Sequence, residues 1–235
     1  VTDQAKPQFE MPTESVAVFD AVIAFFLLLV PGAVVGLIHQ GYEEPLDKTQ
    51  VGIVGLLFGF LAVTVYALIR RHALSLALRP AWAIGRYGLF VLVWFPFAFW
   101  IYPMLMRGLD IPMPAQELLV YVASSPNDGF LWLAIAVACI AAPFGEELFF
   151  RGFLFRAIEI HSHRYVALAA TTVLFALIHE SSVMIPVFFL GLFFGYLRMK
   201  TGGLGSSILI HMLHNSWTIM VAVLAPETLS MVFDK

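Results

Sequence analysis

The sequence predicts an all-α fold, a polytopic integral membrane protein of about seven transmembrane helices with an interfacial amphipathic helix. Three observations predict it. Of 235 residues, 60% are hydrophobic and only 12% charged, against about 25% charged in an ordinary soluble domain. The apolar residues gather in runs that approach the ~20 residues needed to cross a hydrocarbon core. The positive charge between those runs is lopsided, as it is in loops sorted to the two sides of a membrane. A formal net charge of -3, with no block of Lys and Arg, gives no footing for nucleic acid. Cys139 is the single cysteine; it allows no internal disulfide, and its run AVACIAAP reads as a buried, inert thiol.

In chain order, the first span is expected from Val16 to Ile38. The polar residues before it lack the charge pattern of a secretory signal, so this run is read as a retained span. The second span covers Val51 to Ile69. Residues 70–86, RRHALSLALRPAWAIGR, place Arg70, Arg71, Arg79 and Arg86 around Trp82 and read as an interfacial helix on the cytoplasmic face. The third span covers Tyr87 to Met106. Residues 112–129 are expected to form another short interfacial helix and a turn. The fourth span runs from Phe130 to Ile158 and contains charged residues. The fifth covers Val166 to His179 and the sixth Val183 to Leu197, a tight hairpin across Glu180, Ser181 and Ser182. The seventh covers Ser206 to Leu224. No internal repeat is visible, so residues 1–235 are read as a single integral membrane domain. The even-numbered spans end near Arg70, Arg71, Arg79, Arg86, Arg156, Arg164, Arg198 and Lys200, whereas the odd-numbered loops contribute Lys48 and Arg107. The N-terminus is therefore expected in the cytoplasm and the C-terminus outside.

Ionisable groups inside a span cost a few kcal/mol each, of order 2.5–3.5 kcal/mol on insertion scales, and need a reason. Three clusters stand out: Glu146, Glu147 and Arg151 in AAPFGEELFFRGFLFR; His179 and Glu180 in FALIHE; and His211, His214 and Asn215 in SSILIHMLHNSW. Glu147 and Arg151 are i and i+4, one face of a helix, with the carboxylate N-terminal as an ion pair prefers. Glu146 points about 100° away, which leaves it the less paired acid and the candidate base. Pro143 removes a backbone hydrogen bond and frees a carbonyl nearby. His211 and Asn215, again i and i+4, present two donors suited to a developing oxyanion. Phe175 lies one turn before His179 and can pack beneath it. The plainer alternatives are a structural Glu147–Arg151 pair, a His179 that faces headgroups, and a His211–Asn215 pair that serves as interhelical glue. Concentration of all these groups in three of the last four spans favours one shared polar cavity among those four. The roles of His214 and Glu180 stay open at this level.

These clusters resemble the three motifs of the CAAX protease and bacteriocin-processing family of intramembrane proteases: Glu-Glu-x-x-x-Arg at Glu146, Glu147 and Arg151, Phe-x-x-x-His at Phe175 to His179, and His-x-x-x-Asn at His211 to Asn215. The resemblance covers about residues 130–225, a protease-like core. It implies that Glu146 and His179 activate a water, that His211 and Asn215 form the oxyanion hole, and that Glu147 and Arg151 hold the site in shape. It also implies an endopeptidase acting on a peptide or membrane-protein substrate, CAAX-like or of the bacteriocin type, in a bacterial inner membrane. No cofactor is expected. The sharper alternative is a zinc site made by Glu146, His179 and His211, although no His-Glu-x-x-His helix announces one. Ser206 and Ser207, near His211, keep a serine mechanism open. Two further classes are a non-proteolytic scaffold or immunity protein of the same fold, and a proton-coupled transporter.

Overall fold

The computed structural model describes residues 14–41, 47–70, 74–124 and 129–233, all helices and connecting segments. We number the helices α1 (Glu14–His39), α2 (Lys48–Ile69), α3 (Pro80–Gly108), α4 (Glu117–Ser124), α5 (Gly129–His161), α6 (Arg164–Leu177), α7 (Met184–Thr201), α8 (Gly205–Leu224) and a terminal turn α9 (Leu229–Val232). Six of them, α1, α2, α3, α5, α7 and α8, are long and apolar enough to cross a membrane. The expected fifth span corresponds to α6, whose 14 residues rise about 21 Å, short of the ~30 Å hydrocarbon core. It stops early because His179 turns back: its Nδ1 meets the Phe175 carbonyl at 2.7 Å, filling an acceptor that a longer helix would have used.

The interfacial helix expected over residues 70–86 is corrected by the structure. Arg71 lies outside the described residues. Residues 74–79 are not helical, and helix begins only at Pro80, as the first turns of α3. Proline disfavours helical backbone at the residue before it, and Arg79 accordingly sits at φ -126, ψ 76. Residues 74–79 instead form a strap against the start of α8. The Ser75 carbonyl accepts from Leu204 N at 2.8 Å, and Ser206 Oγ accepts from Arg79 N at 3.0 Å. A Cβ on Gly203 would collide with Ala77, so glycine is needed for the strap to lie this close. The short helix expected within residues 112–129 is present as α4; residues 125–128 of that segment fall outside the described ones.

The helix ends sort as the charge pattern implies. At one end, Asp20 on α1 accepts from Arg70 (3.0 and 3.2 Å) and from Tyr66 Oη (2.6 Å), while Arg164 reaches the Met199 carbonyl at 3.2 Å. At the other, Lys48 pairs with Glu117 at 3.2 Å, Glu117 N donates to Glu180 Oε1 at 3.3 Å, and Arg107 donates to the Met231 carbonyl at 2.7 Å. Glu180 is thus a tie between α4 and the α6–α7 link. Helices pack closely where glycines recur at i and i+4, the small-residue spacing that lets backbones approach in lipid. Gly55 and Gly59 on α2 meet Gly32 and Leu28 of α1, and Gly191 and Gly195 on α7 receive Phe175 and Leu168 of α6. The central element is α5, 56% buried over its most apolar stretch against 11% for α1.

Candidate active site

Two widened, π-helical stretches interrupt α5, at Val137–Ala141 and Glu147–Leu154. Such bulges are frequent at functional sites, and here they bracket Glu146. In the first stretch Ala142 N bonds back to the Val137 carbonyl. The next donor in that register would be residue 143, a proline with no N–H. The Ala138 carbonyl left over accepts from Asn215 Nδ2 of α8 at 2.9 Å. The freed carbonyl expected from Pro143 is therefore what anchors Asn215, and the second N–H of the amide remains for another acceptor.

The two adjacent glutamates have separate surroundings. Glu147 and Arg151 are both 0% exposed and pair at 2.9 Å. Arg151 also donates to the Gly191 carbonyl at 2.8 Å and lies over the Phe175 ring at 4.3 Å. Glu147 Oε1 further meets His211 Nδ1 at 3.2 Å. Glu146 stays partly open, with 14% of its side chain exposed, and its Oε2 lies 3.7 Å from His211 Nε2. One imidazole thus stands between both carboxylates, its ring stacked on Phe194 at 4.5 Å and 22°.

Carbonyl and carboxylate oxygens only accept, so the ring nitrogens that face them donate. His179 gives its Nδ1 proton to the Phe175 carbonyl, which leaves Nε2 of the neutral ring an acceptor. His211 gives its Nδ1 proton to Glu147 and directs Nε2 toward Glu146. Phe175 packs against both His179 (4.7 Å) and His211 (5.9 Å).

Glu146, His179, His211, His214 and Asn215 line one cavity of about 200 Å³. The rest of its wall is mainly apolar, and it reaches Met113, Leu119, Val232 and Phe233, at the end of the molecule that holds Lys48 and Arg107. The cavity expected among the last four spans also takes Trp94, Phe99 and Tyr102 from α3. Sequence reasoning passed over these residues and Phe194, because an aromatic ring in a span carries no mark of facing a cavity rather than lipid. The Gly191–Gly195 spacing was the available signal for close packing of α7 on this site.

Among the described residues, no three His, Cys, Asp or Glu side chains converge as metal ligands would; the zinc set Glu146, His179 and His211 shares the cavity without forming such a group. Ser206 and Ser207 are fully buried, with Ser207 donating to the Leu204 carbonyl at 3.0 Å, and neither lines the cavity.

Residues 128–217 match the family model described as type II CAAX prenyl endopeptidase Rce1-like. Over this segment the chain is similar to the type II CAAX prenyl endopeptidases that the family model describes. A curated relative, the membrane-embedded CAAX protease MroQ of Staphylococcus aureus (strain USA300), is 34% identical over 131 residues, 52% of this chain and 50% of MroQ. The chain thus spans about half the length of that relative. No solved structure matches. The matched segment holds all six residues of the Glu146, Glu147, Arg151, His179, His211 and Asn215 constellation and ends before the terminal turn that closes the cavity wall.

Proposed function

We propose that the protein is an intramembrane endopeptidase that hydrolyses a peptide bond with a water activated by Glu146. The observation that carries this reading is the division of labour between neighbours. Glu147 is sealed and committed to Arg151 and His211, whereas Glu146 faces the cavity beside an imidazole. Glu146 takes a proton from water, with His179 Nε2 as a second acceptor that orients it. The hydroxide attacks the substrate carbonyl, and negative charge gathers on its oxygen. The free N–H of Asn215 and a protonated His211 Nε2 stabilise that oxyanion. Collapse of the tetrahedral intermediate breaks the C–N bond, and protonated Glu146 returns its proton to the leaving amine. Arg151 pairs with Glu147, and Glu147 in turn holds the His211 ring in place. No metal takes part in this scheme.

The mainly apolar wall suits an apolar peptide segment, and a CAAX-type C-terminus such as the relative's name implies is one candidate. The excess of Arg and Lys at one end supports an orientation with that end on the cytoplasmic side of a bacterial inner membrane. The test is cleavage of a membrane-peptide library that includes prenylated CAAX-ended members, by wild type and Glu146→Ala in detergent. Cleavage by wild type that survives a chelator and is lost in a folded Glu146→Ala protein is the expected result. Full activity of the variant would sink the assignment; loss to chelator with recovery on added zinc would replace it with a metalloenzyme.

A further inference from the structure

One cavity histidine lies outside the three motifs. His214 is 6% exposed, lines the cavity, and shares a face of α8 with His211 and Thr218. Two α3 side chains hold it. Tyr87 Oη lies 2.9 Å from its Nδ1, and Trp94 meets the ring edge-on at 4.8 Å and 83°. Trp94 is itself fixed, its Nε1 donating to the Pro186 carbonyl at 3.0 Å. In a bilayer no bulk water takes a phenolic hydrogen, so the satisfied arrangement has Tyr87 donate to Nδ1. The imidazole proton then sits on Nε2. His179 and His211 turn their Nδ1 protons toward protein oxygens, whereas His214 keeps an N–H donor for the cavity.

We propose that His214 is a substrate-binding residue whose Nε2–H donates to a peptide carbonyl flanking the scissile bond, with Tyr87 the positioning residue that fixes its tautomer. The proposal rests on the peptidase reading above. Three residues along α8 rise about 4.5 Å, and an extended peptide at about 3.3 Å per residue turns every second carbonyl to the same edge, about 6.6 Å apart. A chain whose scissile carbonyl lies at His211 therefore brings its next carbonyl on the same edge, two residues along, toward His214, with the two side chains spanning the remaining ~2 Å. Donation to backbone reads no side chain, so this contact fits any extended apolar segment.

The experiment measures Kd for a fluorescent, prenylated CAAX-ended peptide in detergent, in a Glu146→Gln background, together with Tm. Relative to that background, His214→Phe should raise Kd by roughly 2- to 12-fold, the span of one neutral hydrogen bond. His214→Gln, which keeps a donor, should recover most of the loss. Tyr87→Phe should raise Kd less, and should add nothing to His214→Phe. An unchanged Kd for His214→Phe, or a loss that follows Tm and is not recovered by Gln, would overturn the proposal. Continued cleavage by the Glu146→Gln protein would overturn Glu146 as the base and nothing else, and absence of cleavage by wild type would overturn the peptidase reading, since in both cases the Kd series still decides His214. No binding by the background protein would overturn both the peptidase reading and the His214 proposal.

Discussion

Truncation of Arg151 is the sharpest test of how the site is held. Arg151→Met removes a guanidinium that is 0% exposed, pairs with Glu147 at 2.9 Å, donates to the Gly191 carbonyl at 2.8 Å and covers the Phe175 ring at 4.3 Å. Leaving one member of a buried pair uncompensated costs about 3–5 kcal/mol. Loss of the cation–π contact adds about 0.5–2 kcal/mol, while the His211 contact to Glu147 at 3.2 Å offsets part of it. A net loss near 3–5 kcal/mol corresponds to a Tm lower by roughly 6–20 °C for a chain of this size. The assay is thermal unfolding of purified protein in detergent, with Glu147→Leu/Arg151→Met alongside. Removing both charges leaves no uncompensated buried charge, only the His211 Nδ1–H and the Gly191 carbonyl without their partners, so the double variant should regain part of the lost stability while staying inactive. A single variant within about 2 °C of wild type, or a double variant that falls as far as the two single losses added together, would refute the claim that this pair is a mutually dependent buried unit.

Pro143→Ala supplies an N–H that competes with Asn215 for the Ala138 carbonyl, so the helix should gain stability while cleavage falls; Tm and kcat on one preparation check the two signs. Gly59→Val would press a side chain on the Leu28 carbonyl 2.5 Å from the new Cβ. Forcing α1 and α2 apart in this way should cost about 1–3 kcal/mol, read as a lower Tm with kcat kept by the protein that stays folded.

Span order and the sorting of helix ends were legible because both rest on composition, which lipid enforces without regard to detail. The Glu147–Arg151 pair and the apartness of Glu146 were legible because i and i+4 spacing survives into the real helix. The shortness of α6 was not, since it depends on a ring folding back onto its own carbonyl. Nor was the strap at residues 74–79, where an apolar run with basic flanks has a helix pattern and Pro80 with the α8 start decides otherwise. Legibility also ended at the contribution of α3: nothing in the spacing of Tyr87 and Trp94 says that they meet His214 on α8, which lies 127 positions beyond Tyr87. The structure thus settles the surroundings of both residues left open by spacing, with Glu180 a tie between helices and His214 in the cavity wall.

The π-helical stretch Glu147–Leu154 carries the Glu147–Arg151 pair. A bulge of this kind is one residue more than an α-helix would need to span the same height. The two halves of α5 are therefore out of phase, and the numbering of the chain hides a hidden insertion. Deleting a single residue there would let the ladder close as ordinary helix over the same height, keeping the two halves in place while moving the side chains of the bulge off their present faces. Arg151 would leave the Phe175 ring, while Glu146 would keep its place on the half above. Along this helix, length variation by one residue is a far graver change than most substitutions, and a chain shortened there would keep every span yet lose its centre.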